Sequence, residues 1–260
     1  MSMVDDGSAR SAPHPARAER RPPYVLVHGA WHGGWCWGKV AERVRTAGHR
    51  VFTPTLTGLG DRAHLNAPNV GLATHVEDVI STIDMEDLSD VVLVGHSFGS
   101  AVISGVADAR ADRVRRLVFL DSFLVQSGQS PFSHLPPEMV EARKATAIKT
   151  SGLFGETLAM PPPPPSVFGI NDPSDANWVA SRLKPHPIKS YEDILVLTRP
   201  LGAGRPTTYI ACTNPSYQAI AHARQWVKAQ PDWTYLELAT GHDAMILAPD
   251  ALAEMLMRDA

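Results

Sequence analysis

Ser97 stands in the pentapeptide GHSFG, residues 95–99, directly after the apolar run 91–94. A nucleophile at a sharp turn from a strand into a helix has strained backbone angles, and side chains two residues to either side would collide with the neighbouring elements. The two glycines remove that collision. Because such a string also arises by chance, its place after an apolar strand makes it informative. The pattern predicts Ser97 as a nucleophile, with an ordinary glycine-rich turn as the alternative.

A base for this serine is predicted at His242, in the string TGHDAM, residues 240–245. A serine hydroxyl is a poor nucleophile at neutral pH unless an imidazole takes its proton. The string lies between the last predicted strand and the last predicted helix, and of the 11 histidines only His242 has this placement. We therefore predict a Ser97–His242 pair. A capping or core role for His242 is the alternative.

The string HGAWHGGW, residues 28–35, follows the first predicted strand. Attack on a carbonyl group builds negative charge on its oxygen, and backbone N–H groups of a glycine-rich loop beside the nucleophile can stabilise that charge. We assign Ala30 and Phe98 as the two donors of this oxyanion hole. We expect His28 and His32 to hold the loop by hydrogen bonds rather than to transfer protons. No metal site is predicted, because no Cys, His and carboxylate set has ligand spacing.

Short apolar runs alternate with amphipathic segments from residue 24 onward, which is typical of an α/β fold with a mostly parallel six-stranded sheet flanked by helices. The predicted strands are Tyr24–His28, Arg50–Pro54, Asp90–Gly95, Arg116–Leu120, Thr207–Cys212 and Thr234–Leu238. The predicted helices, whose apolar residues recur three and four apart, are Trp37–Thr46, Thr74–Glu86, Ser97–Asp108, Ser216–Ala229 and Ala248–Met257.

The segment from about residue 122 to 200 interrupts this alternation with the proline run 161–165 and few strand signals. We interpret it as an inserted cap that covers the site and shapes the substrate pocket, since long insertions in a compact domain are usually functional. Trp31, Phe123 and Trp178 are candidate pocket residues, with plain packing as the alternative for each. Residues 1–23 carry few bulky apolar residues, and we interpret them as a disordered tail.

Composition narrows the class of protein. The 260 residues are 44% apolar and 20% charged, which predicts a single globular domain over residues 24–260. A net charge of -3 argues against nucleic-acid and membrane partners, and no apolar run approaches the roughly 20 residues of a membrane span. Cys36 and Cys212 are too few for a disulfide scaffold, although the two could pair, and fit a reducing, cytoplasmic compartment. Oligomeric state stays open, a homodimer included.

Four strings resemble one branch of a known family: VLVHGAWHGGWCW, TPTLTGLGDRAHL, VVLVGHSFGS and TGHDAMILAP, in this order from about Tyr24 onward. The branch is that of the α/β-hydrolases with plant methylesterases, plant hydroxynitrile lyases and bacterial small-ester hydrolases. The resemblance implies the α/β-hydrolase fold with a helical cap, no cofactor, and Ser97 and His242 as the catalytic pair. It fits the bacterial esterases best, including some that cleave carbamates. We therefore expect hydrolysis of a small-molecule ester or carbamate through an acyl-enzyme on Ser97.

Two other functions stay open. A hydroxynitrile lyase would use the same serine and histidine, but the lyases carry a threonine and a lysine where this chain has Gly29 and Asp243. The lysine supplies positive charge for departing cyanide, which an aspartate would repel. A non-catalytic ligand-binding homologue is the alternative from another class. A haloalkane dehalogenase is disfavoured, because that chemistry needs an aspartate in the place of Ser97.

The resemblance leaves the catalytic acid unassigned. The plant enzymes carry it in a Cys-Thr-x-Asp string, whereas here residues 212–215 read CTNP. A buried catalytic histidine still needs an acceptor for its second ring nitrogen. Of the carboxylates between Ser97 and His242, only Asp121 ends a predicted strand at the catalytic edge, where some relatives of this fold place their acid. We predict Asp121 as the acid, with a turn cap as the alternative, and we expect Asp243 at the surface or in an indirect supporting role.

Overall fold

A six-stranded parallel sheet lies at the centre of the protein, in a computed structural model that describes residues 21–258. The strands are β1 Tyr24–Val27, β2 Val51–Phe52, β3 Val91–His96, β4 Val114–Leu120, β5 Ile148–Gly152, β6 Gly155–Met160, β7 His186–Pro187, β8 Thr207–Cys212 and β9 Trp233–Leu238. The order in the central sheet is β2-β1-β3-β4-β8-β9. All six predicted strands are confirmed, with ends shifted by up to two residues.

The helices are α1 Gly38–Thr46, α2 Leu72–Met85, α3 Gly99–Ala109, α4 Pro137–Ala145, α5 Pro173–Ala180, α6 Lys189–Glu192, α7 Ala221–Lys228, α8 Ala244–Leu247 and α9 Pro249–Met257. Helix α1 packs against α9, and α2 packs against α3. Every residue of β1, β3 and β8 is buried. Strands buried on both faces are what a parallel sheet covered by helices requires.

The segment between β4 and β8 contains three helices, α4 to α6, and also a second sheet of three antiparallel strands, β5 to β7. The expected helical insertion therefore also contains a small antiparallel sheet, which the sequence did not predict. The strands β5 and β6 escaped prediction because they pair with each other as a largely exposed hairpin, so they show neither an apolar run nor a clean alternation.

Residues 1–20 of the predicted disordered tail lie outside the described residues, and residues 21–23 lead into β1. Both cysteines are buried and unpaired. Within residues 21–258, no helix combines the length and the apolar character needed to cross a lipid bilayer.

Candidate active site

Ser97 lies between β3 and α3 with a left-handed backbone, φ 51°. This strain persists because the surroundings fix it: the Ser97 N–H donates to Leu120 O at 3.1 Å, and both flanking glycines are enclosed. A Cβ on Gly95 would lie 2.7 Å from Gly99 O, and one on Gly99 would lie 2.7 Å from His28 O. Ser97 is half-buried, whereas its neighbours on both sides are buried. The turn therefore presents the serine hydroxyl to the site.

Asp121 follows β4, and the parallel register pairs His96 of β3 with Leu120 of β4. Ser97 and Asp121 consequently leave the sheet side by side at its carboxyl edge. Asp121 also has a left-handed backbone, φ 40°, and is fully buried. Its Oδ2 accepts a hydrogen bond of 2.7 Å from His242 Nδ1. Because this contact keeps the ring proton on Nδ1, Nε2 is the ring nitrogen left to accept a proton from a serine.

The carboxylate of Asp121 has two further donors, both at Oδ1: Cys212 N at 3.0 Å and Arg224 Nη2 at 2.8 Å. Burial by itself raises the pKa of Asp121, but the hydrogen bond and charge of His242, followed by the contacts from Arg224 and Cys212, hold that pKa below its ordinary value. Asp121 is therefore ionised at neutral pH. Sequence reasoning missed Arg224, since one arginine on a surface helix carries no signal.

Cys212 ends β8, the strand that neighbours β4 in the sheet. A carboxylate placed after either of these adjacent strands lies at the same edge of the sheet, which is the physical reason why Asp121 reaches His242 although the CTNP string contains no aspartate.

The loop after β1 lies against Ser97. A Cβ on Gly29 would lie 3.0 Å from Ser97 Cβ and 2.9 Å from His96 Nδ1. Within residues 21–258, the N–H groups of Ala30 and Phe98 donate to no other group, as donors kept for a substrate oxygen must. The next N–H along, that of Trp31, is already used, because it donates to His186 Nδ1 at 3.3 Å.

The loop histidine His28 has a structural position. Its Nδ1 donates to Gly29 O at 2.8 Å, and its Nε2 accepts from Leu56 N at 3.0 Å. Burial lowers the pKa of His28 to about 3, so the ring is neutral. His32 likewise holds the loop, through Nδ1 and Ala30 O at 2.7 Å.

The expectation of a surface position for Asp243 is wrong. The side chain is fully buried, and its Oδ2 lies 3.0 Å from His32 Nε2. Adjacent side chains do diverge at this point, His242 towards Asp121 and Asp243 towards His32. Both directions lead into the protein, because the chain turns at once into the buried helix α8 rather than continuing as an exposed loop.

Aromatic side chains surround the histidine. The ring centroids of Tyr217 and Phe168 lie 4.4 Å and 6.1 Å from that of His242. Phe168 in turn lies 6.0 Å from Trp31, and the guanidinium of Arg143 lies 5.1 Å above the Trp31 ring. Sequence reasoning named Trp31 but missed Tyr217 and Arg143, which only the chain fold brings to this place.

The two other predicted pocket residues lie differently. Phe123, two residues after Asp121, packs near Tyr191, which stacks on Phe98 at 5.0 Å. Trp178 packs on Trp35 at 5.0 Å and under the guanidinium of Arg182. Trp178 thus contacts Trp35 and Arg182.

One set of residues within 21–258, His96, His242 and Asp243, has donor atoms within 4.8 Å of one another. One ring nitrogen of each histidine in this set is engaged in the protein, since His96 Nε2 donates to His242 O at 3.0 Å and His242 Nδ1 to Asp121. The set therefore fits a hydrogen-bond network better than a metal ion.

Several known proteins are similar to this chain in sequence and in fold. The model of the "Alpha/beta hydrolase family" matches residues 24–255. The chain belongs to the α/β-hydrolase family. It is 40% identical to a carbendazim hydrolyzing esterase from Nocardioides sp., over 90% of this chain and 97% of that protein. It is 27% identical to methylesterase 2 from Arabidopsis thaliana, over 92% of this chain and 96% of the relative.

Among solved structures, an extracellular α/β-hydrolase from a Paenibacillus species superposes with a TM-score of 0.76 at 24% identity, covering 92% of this chain and 98% of the other. At this identity the likeness concerns the fold. The predicted α/β-hydrolase fold and the resemblance to the methylesterase branch are confirmed. The relatives also support the predicted ester-cleaving hydrolase.

Proposed function

We propose that this α/β-hydrolase is a serine hydrolase that cleaves the ester or carbamate bond of a small molecule through an acyl-enzyme on Ser97. The observation that carries the proposal is the buried 2.7 Å hydrogen bond between Asp121 and His242 at the sheet edge where the strained, half-buried Ser97 emerges. A buried carboxylate that fixes one imidazole tautomer beside a serine is the arrangement that makes the hydroxyl nucleophilic.

In the proposed mechanism, Ser97 Oγ attacks the carbonyl carbon while His242 Nε2 takes the hydroxyl proton. Asp121 stabilises the imidazolium that forms, and the N–H groups of Ala30 and Phe98 stabilise the negative charge on the carbonyl oxygen. His242 then returns the proton to the leaving alcohol or amine, which leaves the acyl group on Ser97. A water molecule, deprotonated by the same histidine, hydrolyses this intermediate.

We propose that residues 122–200 act as the cap of this site and that its aromatic residues contact the substrate. Phe168 comes from this segment and faces His242, and Arg143 of α4 lies over Trp31, next to the proposed donor Ala30. A flat, apolar substrate with an acceptor atom for the guanidinium suits these side chains. Carbendazim, for which the relative from Nocardioides is named, belongs in the first substrate panel.

The decisive experiment measures turnover and covalent labelling together. Wild type and Ser97→Ala are incubated with p-nitrophenyl esters of graded chain length, aryl carbamates, lactones and carbendazim, and with a fluorophosphonate probe. We expect rapid labelling and turnover by the wild type and neither by the variant. A wild type that binds these compounds but neither turns them over nor reacts with the probe would favour the non-catalytic binding homologue.

A hydroxynitrile lyase is the less favoured activity. A threonine at position 29 would place its Cβ 2.9 Å from His96 Nδ1, which is too close, so this position in the loop favours glycine. Asp243 is paired with His32 and does not face the leaving group as a free charge. The expected repulsion between Asp243 and departing cyanide therefore does not count against a lyase. Mandelonitrile cleavage should be undetectable or far slower than ester hydrolysis, and efficient cyanide release would reverse this ranking.

For compartment and assembly, we propose a cytoplasmic enzyme without nucleic-acid, membrane or cofactor requirement, and we keep the homodimer as a hypothesis. The unpaired Cys36 and Cys212 support a reducing compartment. Cell fractionation tests the first proposal and sedimentation the second.

A further inference from the structure

His32 places both of its ring nitrogens against oxygen atoms that accept hydrogen bonds. Nδ1 lies 2.7 Å from Ala30 O, and Nε2 lies 3.0 Å from Asp243 Oδ2. A neutral imidazole carries one N–H and can donate only once, whereas an imidazolium donates from both nitrogens. The ring is buried and 1% exposed, so water cannot replace either partner.

Asp243 requires a positive partner, because a fully buried ionised carboxylate is too costly without one. Three histidines surround it. His242 is engaged by Asp121, and His96, whose Nε2 donates to His242 O, has its pKa lowered by burial to about 3. Cys36 is held in its neutral thiol form, since burial and the charge of Asp243 raise its pKa. Within residues 21–258, His32 is the remaining group that can carry the charge.

The pKa values of His32 and Asp243 are shifted in the directions that this geometry requires. Burial lowers the pKa of His32, but the charge and hydrogen bond of Asp243 outweigh burial and leave that pKa above its ordinary value. Burial raises the pKa of Asp243, and the charge and hydrogen bond of His32 outweigh it in turn, so that pKa lies below its ordinary value.

We infer that His32 and Asp243 form a buried imidazolium–carboxylate pair that positions the oxyanion loop against the catalytic-histidine loop. His32 holds the carbonyl of Ala30, whose N–H is a proposed oxyanion donor, and Asp243 follows His242 directly in the chain. One ion pair thus fixes the distance between the group that stabilises the transition state and the group that transfers the proton. Both are positioning residues and need not touch the substrate. The inference rests on the proposed function for its effect on rate.

The charge state is tested by NMR on protein labelled with ¹⁵N in histidine, at pH 7.5. We expect the His32 ring, assigned by loss of its signals in His32→Gln, to show two protonated nitrogens, although the ordinary histidine pKa of about 6.5 predicts a neutral ring at this pH. In Asp243→Asn the ring should become neutral, with Nε2 accepting from the amide. A neutral His32 in the wild type would overturn the ion pair, whether or not the protein hydrolyses esters.

Positioning is tested separately from stability. His32→Met removes the hydrogen bond to Ala30 O and leaves the buried carboxylate of Asp243 without a positive partner. This variant should therefore lose both activity and stability. The double variant His32→Met/Asp243→Val replaces the pair with apolar side chains, which often restores stability. We expect kcat of the double variant to stay about 10–100-fold below wild type with KM little changed, since the oxyanion donor is no longer held in place.

The controls replace an aspartate and a histidine away from the site. Asp250→Asn breaks the exposed ion pair with Arg43, and His49→Gln removes a ring that also bonds a backbone carbonyl, that of Pro22. Both should keep wild-type kcat. Recovery of kcat together with stability in the double variant would show that the pair only holds the fold. A wild type without esterase activity would remove the proposed function instead, and the NMR result would still decide the ion pair.

Discussion

Replacing Asp121 with asparagine should change the tautomer of His242, the proposed base, while keeping the shape of the side chain. The amide oxygen can still accept from Cys212 N and Arg224, as Oδ1 does now, which turns the amide NH2 towards His242. His242 Nδ1 must then accept rather than donate, so the ring proton moves to Nε2, and Nε2 can no longer take the proton of Ser97. We expect kcat to fall by roughly 10³–10⁴, or about 4–5.5 kcal/mol in the activation barrier.

The fold should survive this change at a measurable cost. Asp121 is fully buried and pairs with Arg224, whose side chain is 12% exposed. Removing the charge but keeping the acceptor should lower the free energy of unfolding by about 1–3 kcal/mol, less than the loss of a whole buried ion pair. Arg224 is the cause of this cost, because it loses the charge of its buried partner.

The assay pairs steady-state kinetics on a p-nitrophenyl ester with urea unfolding, for wild type, Asp121→Asn and Asp232→Asn. The last variant makes the same substitution at an exposed aspartate and should match the wild type in both measurements. Asp243→Asn should reduce kcat much less than Asp121→Asn, because the amide can still hydrogen-bond His32. A kcat of Asp121→Asn within tenfold of the wild type, in a folded protein, would refute the assignment of Asp121.

Four further predictions concern the same site. Ser97→Ala should stay folded by circular dichroism and lose several orders of magnitude in kcat, whereas turnover near the wild type would exclude the serine mechanism. Gly29→Thr should lower kcat/KM by at least about tenfold, because its side chain displaces His96 or Ser97; unchanged kinetics would show that the loop adapts. Arg143→Gln should raise KM for substrates that carry an acceptor group more than for matched alkyl esters, with the exposed Arg182→Gln as control, and an equal effect on both substrates would exclude recognition by Arg143. Because the folded-state pKa values of Asp121 and Asp243 lie below their ordinary values, both carboxylates stabilise the fold above the unfolded pKa of about 3.9, and that contribution is lost as pH falls through the folded values. Urea unfolding from pH 6 to pH 3 should show this decline in the wild type and a smaller one in Asp121→Asn.

The sequence by itself determined the central sheet and pointed to Ser97 and His242 as the nucleophile and the base that we propose, because both inferences depend on local patterns. Apolar runs mark the buried strands wherever they pair, and the glycines around Ser97 are required by the turn in which they stand. The place of Asp121, the proposed acid, was predictable for a related reason. Asp121 ends a strand, and the carboxyl ends of parallel strands meet at one edge of the sheet.

Tertiary structure alone decided the partners of these groups. Arg224 meets Asp121 from 103 residues further along the chain, and Asp243 meets His32 from 211 residues away. Such contacts leave no periodic trace in a single sequence, since only the folded chain brings residues so far apart together. The buried position of Asp243 and the rings of Phe168 and Tyr217 around His242 have the same origin, because burial depends on what the folded chain packs against each side chain.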